Sequence, residues 1–82
     1  MTAGAAAARL RWRCRRGMKE LDLLLERYLA DDFPGASSAE QAAFADLLEL
    51  PDPQLAAYLI GGVEPPEPRI AQLASRIRQR GI

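Results

Sequence analysis

Few side chains in this 82-residue sequence could carry out catalysis. The sequence holds no histidine, which removes the most common general base, a frequent metal ligand and every triad built on an imidazole. The arginine neighbours of the one cysteine, Cys14, would lower a thiol pKa, but Cys14 has no histidine to act as its base. Because Cys14 also aligns with Leu10 at helical spacing, we interpret it as a small core residue.

The carboxylates are equally poor candidates for acid–base chemistry. Asp31 and Asp32 are adjacent in a predicted loop and point apart, so we interpret them as solvated acids. Asp52 precedes Pro53, and a helix N-cap role is sufficient to explain it, although a functional role stays open. One cysteine without histidine makes no zinc cluster. We therefore expect neither a metal site nor an enzyme.

Residues 9–16, RLRWRCRR, combine five arginines with the one tryptophan of the chain. Trp12 is two positions off the face of Leu10 and Cys14, so we expect it to be partly exposed. An exposed tryptophan among arginines is typical of interface hot spots and would also suit stacking on nucleic-acid bases. The alternative is a solvated basic face, with Trp12 packed on arginine stems.

The charges are segregated along the chain although Lys+Arg and Asp+Glu both number 11. Residues 1–19 carry +6, residues 20–67 carry −10 and residues 68–82 carry +4. Such a layout favours a molecule with a basic and an acidic face, each attracting a complementary partner.

These residues must be positioned by helices, because the apolar residues repeat at helical spacing and no stretch alternates as a strand would. We predict an all-α, compact bundle of about five short helices, forming one monomeric domain over residues 1–82. The first helix covers about 5–16 and ends at Gly17, and the second covers about 18–30. The predicted core comprises Leu21, Leu24, Leu25, Tyr28, Phe44, Leu47, Leu48, Leu55, Leu59, Ile70, Leu73 and Ile77.

The remaining helices have recognisable ends. A capping box, in which Ser37 and Glu40 satisfy each other's backbone donors, predicts the start of the third helix. Asp52 is the predicted cap of the fourth helix, which the glycines at 61 and 62 end. A Pro-rich connector precedes the fifth helix, which Gly81 closes.

Residues 15–22, RRGMKELD, resemble the signature of the succinate dehydrogenase flavinylation (assembly) factors, small bacterial proteins related to the mitochondrial assembly factor 2. Arg16, Gly17 and Glu20 match the family motif Arg-Gly-x-x-Glu. The preceding residues, with Arg at 9, Trp at 12, Cys at 14 and Arg at 15, are similar to the bacterial members.

A second family pattern, Asp-x-x-Leu-x-x-Trp-Leu, occurs further along the chain. Asp52, Leu55 and Leu59 match it, and Tyr58 replaces the usual tryptophan, which affects local packing only. The resemblance covers residues 9 to about 60 well, and the fifth helix matches only in type.

The resemblance implies that this protein binds the flavoprotein subunit of succinate dehydrogenase, and as in many members that of fumarate reductase. It also implies that this protein promotes the covalent attachment of FAD to a histidine of that subunit. The chemistry would then occur in the partner, and this protein would hold no cofactor stably. Arg16 would bind a partner carboxylate or carbonyls, and we expect Arg16, Gly17 and Glu20 to be exposed together. The predicted partner-binding residues are Arg9, Arg11, Trp12, Arg15, Arg16, Gly17, Met18, Glu20, Asp22 and Asp52.

Two alternative functions remain at this point. The basic segment would suit a small nucleic-acid-binding regulator or antitoxin, although the acidic middle segment would repel phosphates, so we expect no nucleic-acid partner. A small-molecule enzyme is disfavoured by the missing histidine.

An acid-free, Arg- and Ala-rich start is also typical of mitochondrial transit peptides, but the Arg-Gly-x-x-Glu motif lies across the end of that segment. We expect a cytoplasmic protein with no membrane insertion.

Overall fold

The computed structural model describes residues 2–80, with side-chain surroundings for 8–79, and this part of the chain is helical without strands. The all-α prediction is therefore confirmed. In chain order the helices are α1 (Thr2–Arg13), α2 (Lys19–Asp31), a 3₁₀ helix (Phe33–Gly35), α3 (Ser38–Leu47), α4 (Asp52–Leu59) and α5 (Pro68–Arg80). Gly81, predicted to close the last helix, lies outside the described residues.

Helix α5 organises the bundle, because it packs against α2, α3 and α4, while α1 packs against α2. Every predicted core residue is buried. The periodic positions identify the core because side chains three and four residues apart share one helix face. Residues from outside that prediction complete it: Leu29, Ala43, Tyr58, Ala71 and Ala74.

Helix α1 ends three residues earlier than its apolar pattern predicts, at Arg13. The Cys14 N–H still bonds to the Leu10 carbonyl at 3.1 Å, but the chain then leaves the helix. The Arg16 Nε donates to the Arg13 carbonyl at 2.9 Å, so a side chain takes the place of the next backbone donor. Gly17 follows with φ +82°, in the left-handed region that glycine favours.

Only one of the two hydrogen bonds of the predicted capping box is formed at the start of α3. Ser37 Oγ accepts from the Glu40 N–H at 3.1 Å, as predicted. The Glu40 side chain does not complete the capping box, because it accepts the Tyr28 hydroxyl at 2.5 Å and pairs with Arg76 at 3.3 Å. The Glu40 side chain thereby joins α2, α3 and α5. Burial raises the pKa of the Tyr28 hydroxyl, and the hydrogen bond to Glu40 raises it further.

The prediction that Asp52 caps α4 is wrong by one residue. Pro51 is the N-cap, and Asp52 occupies the first helical position without a capping hydrogen bond. Its carboxylate instead accepts a hydrogen bond from Arg16, an interaction between residues 36 positions apart. At the other end, α4 ends at Leu59 and Gly62 adopts φ +79°, in line with the predicted glycine stop.

Candidate partner-binding surface

The turn between α1 and α2 is held by an acid that reaches back from α2. Asp22 lies in the first turn of α2, and its two carboxylate oxygens accept the N–H groups of Arg16 at 2.8 Å and Gly17 at 3.2 Å. A carboxylate is also favourable at this helix end because of the helix dipole. Asp22 therefore fixes the backbone where the Arg-Gly-x-x-Glu pattern begins.

The side chain of Arg16 turns inward, and only 14% of it is exposed. Its Nη1 donates to the Leu50 carbonyl at 3.1 Å and to Asp52 Oδ1 at 3.0 Å. Its Nη2 donates to the Leu48 carbonyl, and its Nε donates to Arg13 as described above. One guanidinium thus joins the end of α1 to the turn between α3 and α4.

The expectation that Arg16, Gly17 and Glu20 are exposed together is therefore wrong for Arg16. Gly17 and Glu20 are exposed, as is Met18 between them. The guanidinium bonds described for Arg16 go to Arg13, Leu48, Leu50 and Asp52, and not to Glu20. Three of these acceptors are backbone carbonyls, which carry no sequence signal.

Trp12 is 72% exposed, so the expectation of partial exposure is confirmed. The Arg15 guanidinium carbon lies 5.9 Å from the centre of the indole ring, within the range of a cation–π interaction. We call residues 15–20 the docking turn, which Trp12 precedes by one helical turn. This region exposes the indole of Trp12, the backbone at Gly17, and the charged side chains of Arg15 and Glu20.

The other basic residues of α1 differ in how they are used. Arg13 pairs with Glu49 at 2.5 Å, a second link from the end of α1 to the turn between α3 and α4. Arg9 and Arg11 are exposed on α1, and no ion pair connects either with another residue in the described part of the chain. The predicted site residues therefore divide into a group that hydrogen-bonds within the chain, Arg16, Asp22 and Asp52, and an exposed group.

Cys14 is completely buried and belongs to the core, as predicted. Burial, with a smaller contribution from Glu26, raises the pKa of its thiol to about 12. A neutral, buried thiol is not a nucleophile at physiological pH.

This thiol makes stability depend on pH in the alkaline range. We expect the free energy of unfolding to fall from pH 9.0 towards about 12, because the unfolded thiol releases its proton first. One such group contributes a slope of at most about 1.4 kcal/mol per pH unit. Urea unfolding of the wild type and Cys14→Ala at about pH 8 and about pH 10 measures it. If the free energy of unfolding changed equally with pH in the two proteins, the assignment to Cys14 would be contradicted, because the Tyr28 hydroxyl contributes alike to both.

Two surface grooves lie elsewhere in the described part of the bundle. A groove of about 500 Å³ runs along α5 and includes Glu64 of the connector, and a smaller one of about 170 Å³ lies between α3 and α5. Neither is lined by a residue of α1 or of the docking turn. Among the described residues no three potential ligands from His, Cys, Asp and Glu gather into a metal site, and no helix could span a bilayer.

A family profile described as flavinator of succinate dehydrogenase matches residues 8–81. The chain belongs to this flavinator family. It is similar to the FAD assembly factor SdhE of Coxiella burnetii, with 39% identity over 79 residues and 96% of each chain covered. The protein of that name from Legionella pneumophila strain Paris is 44% identical over 71 residues, covering 87% of this chain and 89% of the relative. That from Shewanella oneidensis is 38% identical over 73 residues, covering 89% of both.

One departure from the flavinator pattern, Tyr58 in place of tryptophan, is accommodated locally. Tyr58 is a buried residue of α4, and its hydroxyl accepts the Gln54 amide at 2.9 Å. Its backbone carbonyl accepts the Arg78 guanidinium at 2.8 Å. The position therefore serves helix packing in this flavinator-family chain.

Proposed function

We propose that this protein binds the flavoprotein subunit of succinate dehydrogenase and promotes the covalent attachment of FAD to that subunit. The observation that carries the proposal is the family match over residues 8–81, together with relatives named FAD assembly factors that align along nearly their whole length. The flavoprotein subunit of fumarate reductase is the second client in this proposal.

The bond-forming chemistry takes place in the client. This chain has no histidine, and its one thiol is buried and protonated, so its residues bind and orient rather than transfer protons. Holding the client histidine and the flavin in attacking geometry could by itself lower a barrier by up to ~7–11 kcal/mol. The helper acts on the FAD of the client and holds no cofactor stably.

The exposed docking turn, with Trp12, is the surface that we assign to the client. Gly17 lets a client backbone approach closely, because it has no side chain. Trp12 offers a large rigid contact area, and the charges of Arg9, Arg11 and Arg15 favour an acidic client surface. Glu20 and Met18 lie on the same turn and complete the contact.

Deletion of the gene in its host tests the proposal. We expect the flavoprotein subunit to lose covalent flavin, scored as fluorescence of its band after denaturing electrophoresis. Re-expression of the wild type should restore it, and the fumarate reductase band tests the second client on the same gel. Undiminished fluorescence of both bands in the deletion strain would contradict the function.

Trp12→Ala tests the proposed contact. We expect a nearly unchanged melting curve, because Trp12 is exposed, but at least about tenfold weaker binding to the purified flavoprotein subunit. Val63→Ala is the control, because Val63 is a half-exposed apolar residue on the connector after α4. Wild-type affinity in Trp12→Ala would remove Trp12 from the interface. Salt-sensitive binding of single-stranded DNA or RNA, lost in Trp12→Ala, would instead favour the nucleic-acid-binding alternative.

A further inference from the structure

We infer that Arg16 is a positioning residue, which sets the conformation of the docking turn from inside the protein and does not itself contact the client. The inference rests on the proposed function, because it concerns how the client surface is built. It also replaces the expectation that Arg16 binds a client carboxylate.

The donor capacity of Arg16 is nearly used up within the chain. A guanidinium has five N–H donors and no acceptor. Four acceptors are already present: three backbone carbonyls and the Asp52 carboxylate. All three nitrogens take part, and 14% of the side chain is exposed. A two-pronged bond to a client carboxylate would therefore require breaking internal bonds first.

The position of these acceptors explains why a cation is present. Leu48 and Leu50 follow the last residue of α3, so their carbonyls lack the N–H partners of a continuing helix. The Arg13 carbonyl is in the same situation at the end of α1. Positive charge is favourable at the carbonyl end of a helix. Arg16 thus terminates two helices with one side chain and fixes the distance between them.

The docking turn is consequently held on both sides of residue 16. The backbone N–H groups of Arg16 and Gly17 are bound by Asp22, and the Arg16 side chain is bound to the turn between α3 and α4. Gly17 follows at φ +82°, and residues 18–20 after it are exposed. A turn that is ordered before binding spares the client the cost of ordering it.

The test uses Arg16→Lys and Asp52→Ala, with Arg69→Lys as the control. Lysine keeps the charge of Arg16 but cannot reach several acceptors at once. Arg69 also bonds two acids, Asp46 and Glu67, but lies on α5. For each purified full-length variant we would record amide NMR spectra of the free protein, a melting curve, and the Kd for the purified flavoprotein subunit.

In free Arg16→Lys we expect the amide signals of Gly17 and Met18 to shift or broaden. At a temperature at which this variant is folded, its Kd for the flavoprotein subunit should be at least about tenfold higher than that of the wild type. Asp52→Ala should cause a smaller change of the same kind. The double variant should bind about as weakly as Arg16→Lys alone, because both residues act through one anchor. Arg69→Lys should keep the wild-type Kd and turn signals.

Three results would overturn the positioning role. The first is weaker binding of Arg16→Lys to the client with unchanged Gly17 and Met18 amide signals, which would show a direct contact between Arg16 and the client. The second is a changed turn with wild-type Kd. The third is fully additive losses in the double variant. If Arg16→Lys does not fold, Asp52→Ala decides by the same two readouts. A wild type that binds no flavoprotein subunit contradicts the proposed function, whereas unchanged turn signals in free Arg16→Lys contradict the positioning role alone.

Discussion

Replacing Gly17 with arginine is expected to give a folded protein that no longer promotes covalent flavin attachment. At φ +82° a residue with a side chain costs roughly 1–2 kcal/mol, which a small domain with about 5 kcal/mol of stability survives. A Cβ built at Gly17 meets nothing within 4 Å, so the new side chain causes no internal clash. It projects from the docking turn instead, where it would block the close approach of a client.

Gly62→Arg is the matched control for this experiment. Gly62 has φ +79° and equally open surroundings, but it follows α4 and not α1. Both variants should melt lower by about 4–8 °C for each kcal/mol lost, and only Gly17→Arg should lose binding to the flavoprotein subunit. Wild-type affinity in folded Gly17→Arg would contradict contact at Gly17. If Gly17→Arg unfolded while Gly62→Arg did not, the glycine would serve mainly the fold.

Phe44→Ala should have the largest effect on stability. Phe44 is fully buried, and its ring centre lies 4.8 Å from that of Tyr28 and 5.6 Å from that of Phe33. Removing a buried phenylalanine ring costs about 3–5 kcal/mol, which is comparable with the whole stability expected of so small a domain. We therefore expect a largely unfolded population, seen as lost helical circular dichroism at physiological temperature, and loss of function with it.

Leu23→Ala provides the contrast, because Leu23 is exposed on the same bundle. Its melting curve should stay close to that of the wild type, since exposed substitutions usually change stability by no more than about 0.5 kcal/mol. A cooperative melt of Phe44→Ala within a few degrees of the wild type would show that the ring cluster contributes little to the fold.

The helical core was predictable from the sequence because its signal is periodic. Leu21, Leu24, Leu25 and Tyr28 repeat at the spacing of one helix face, and each is buried. The Ser37 cap and the glycine-rich end of α4 were also predictable, since these residue types satisfy specific backbone needs. The exposure of Trp12 followed from its offset from the Leu10 and Cys14 face.

The internal use of Arg16 was not predictable in the same way. Three of its four acceptors lie more than 30 residues away in sequence, and most of the four are backbone carbonyls, which every residue possesses. Asp52 and Glu40 mimic local caps, but their side chains take distant partners, Arg16 and Tyr28. Local patterns show which groups a helix end could use, and only the packed structure shows which groups compete for them.

The position of Trp12 also has a spectroscopic consequence. It is the one tryptophan of the chain and is mostly exposed, so the free protein should emit at the long wavelength of an indole in water. Covering this indole with a client should move the emission to shorter wavelength, and a bound flavin, which absorbs in that region, should quench it by energy transfer. Subtracting the signal of a Trp12→Phe complex isolates this change from the client's own tryptophans. The protein therefore carries an intrinsic fluorophore beside its docking turn, with which association and release can be followed without a label.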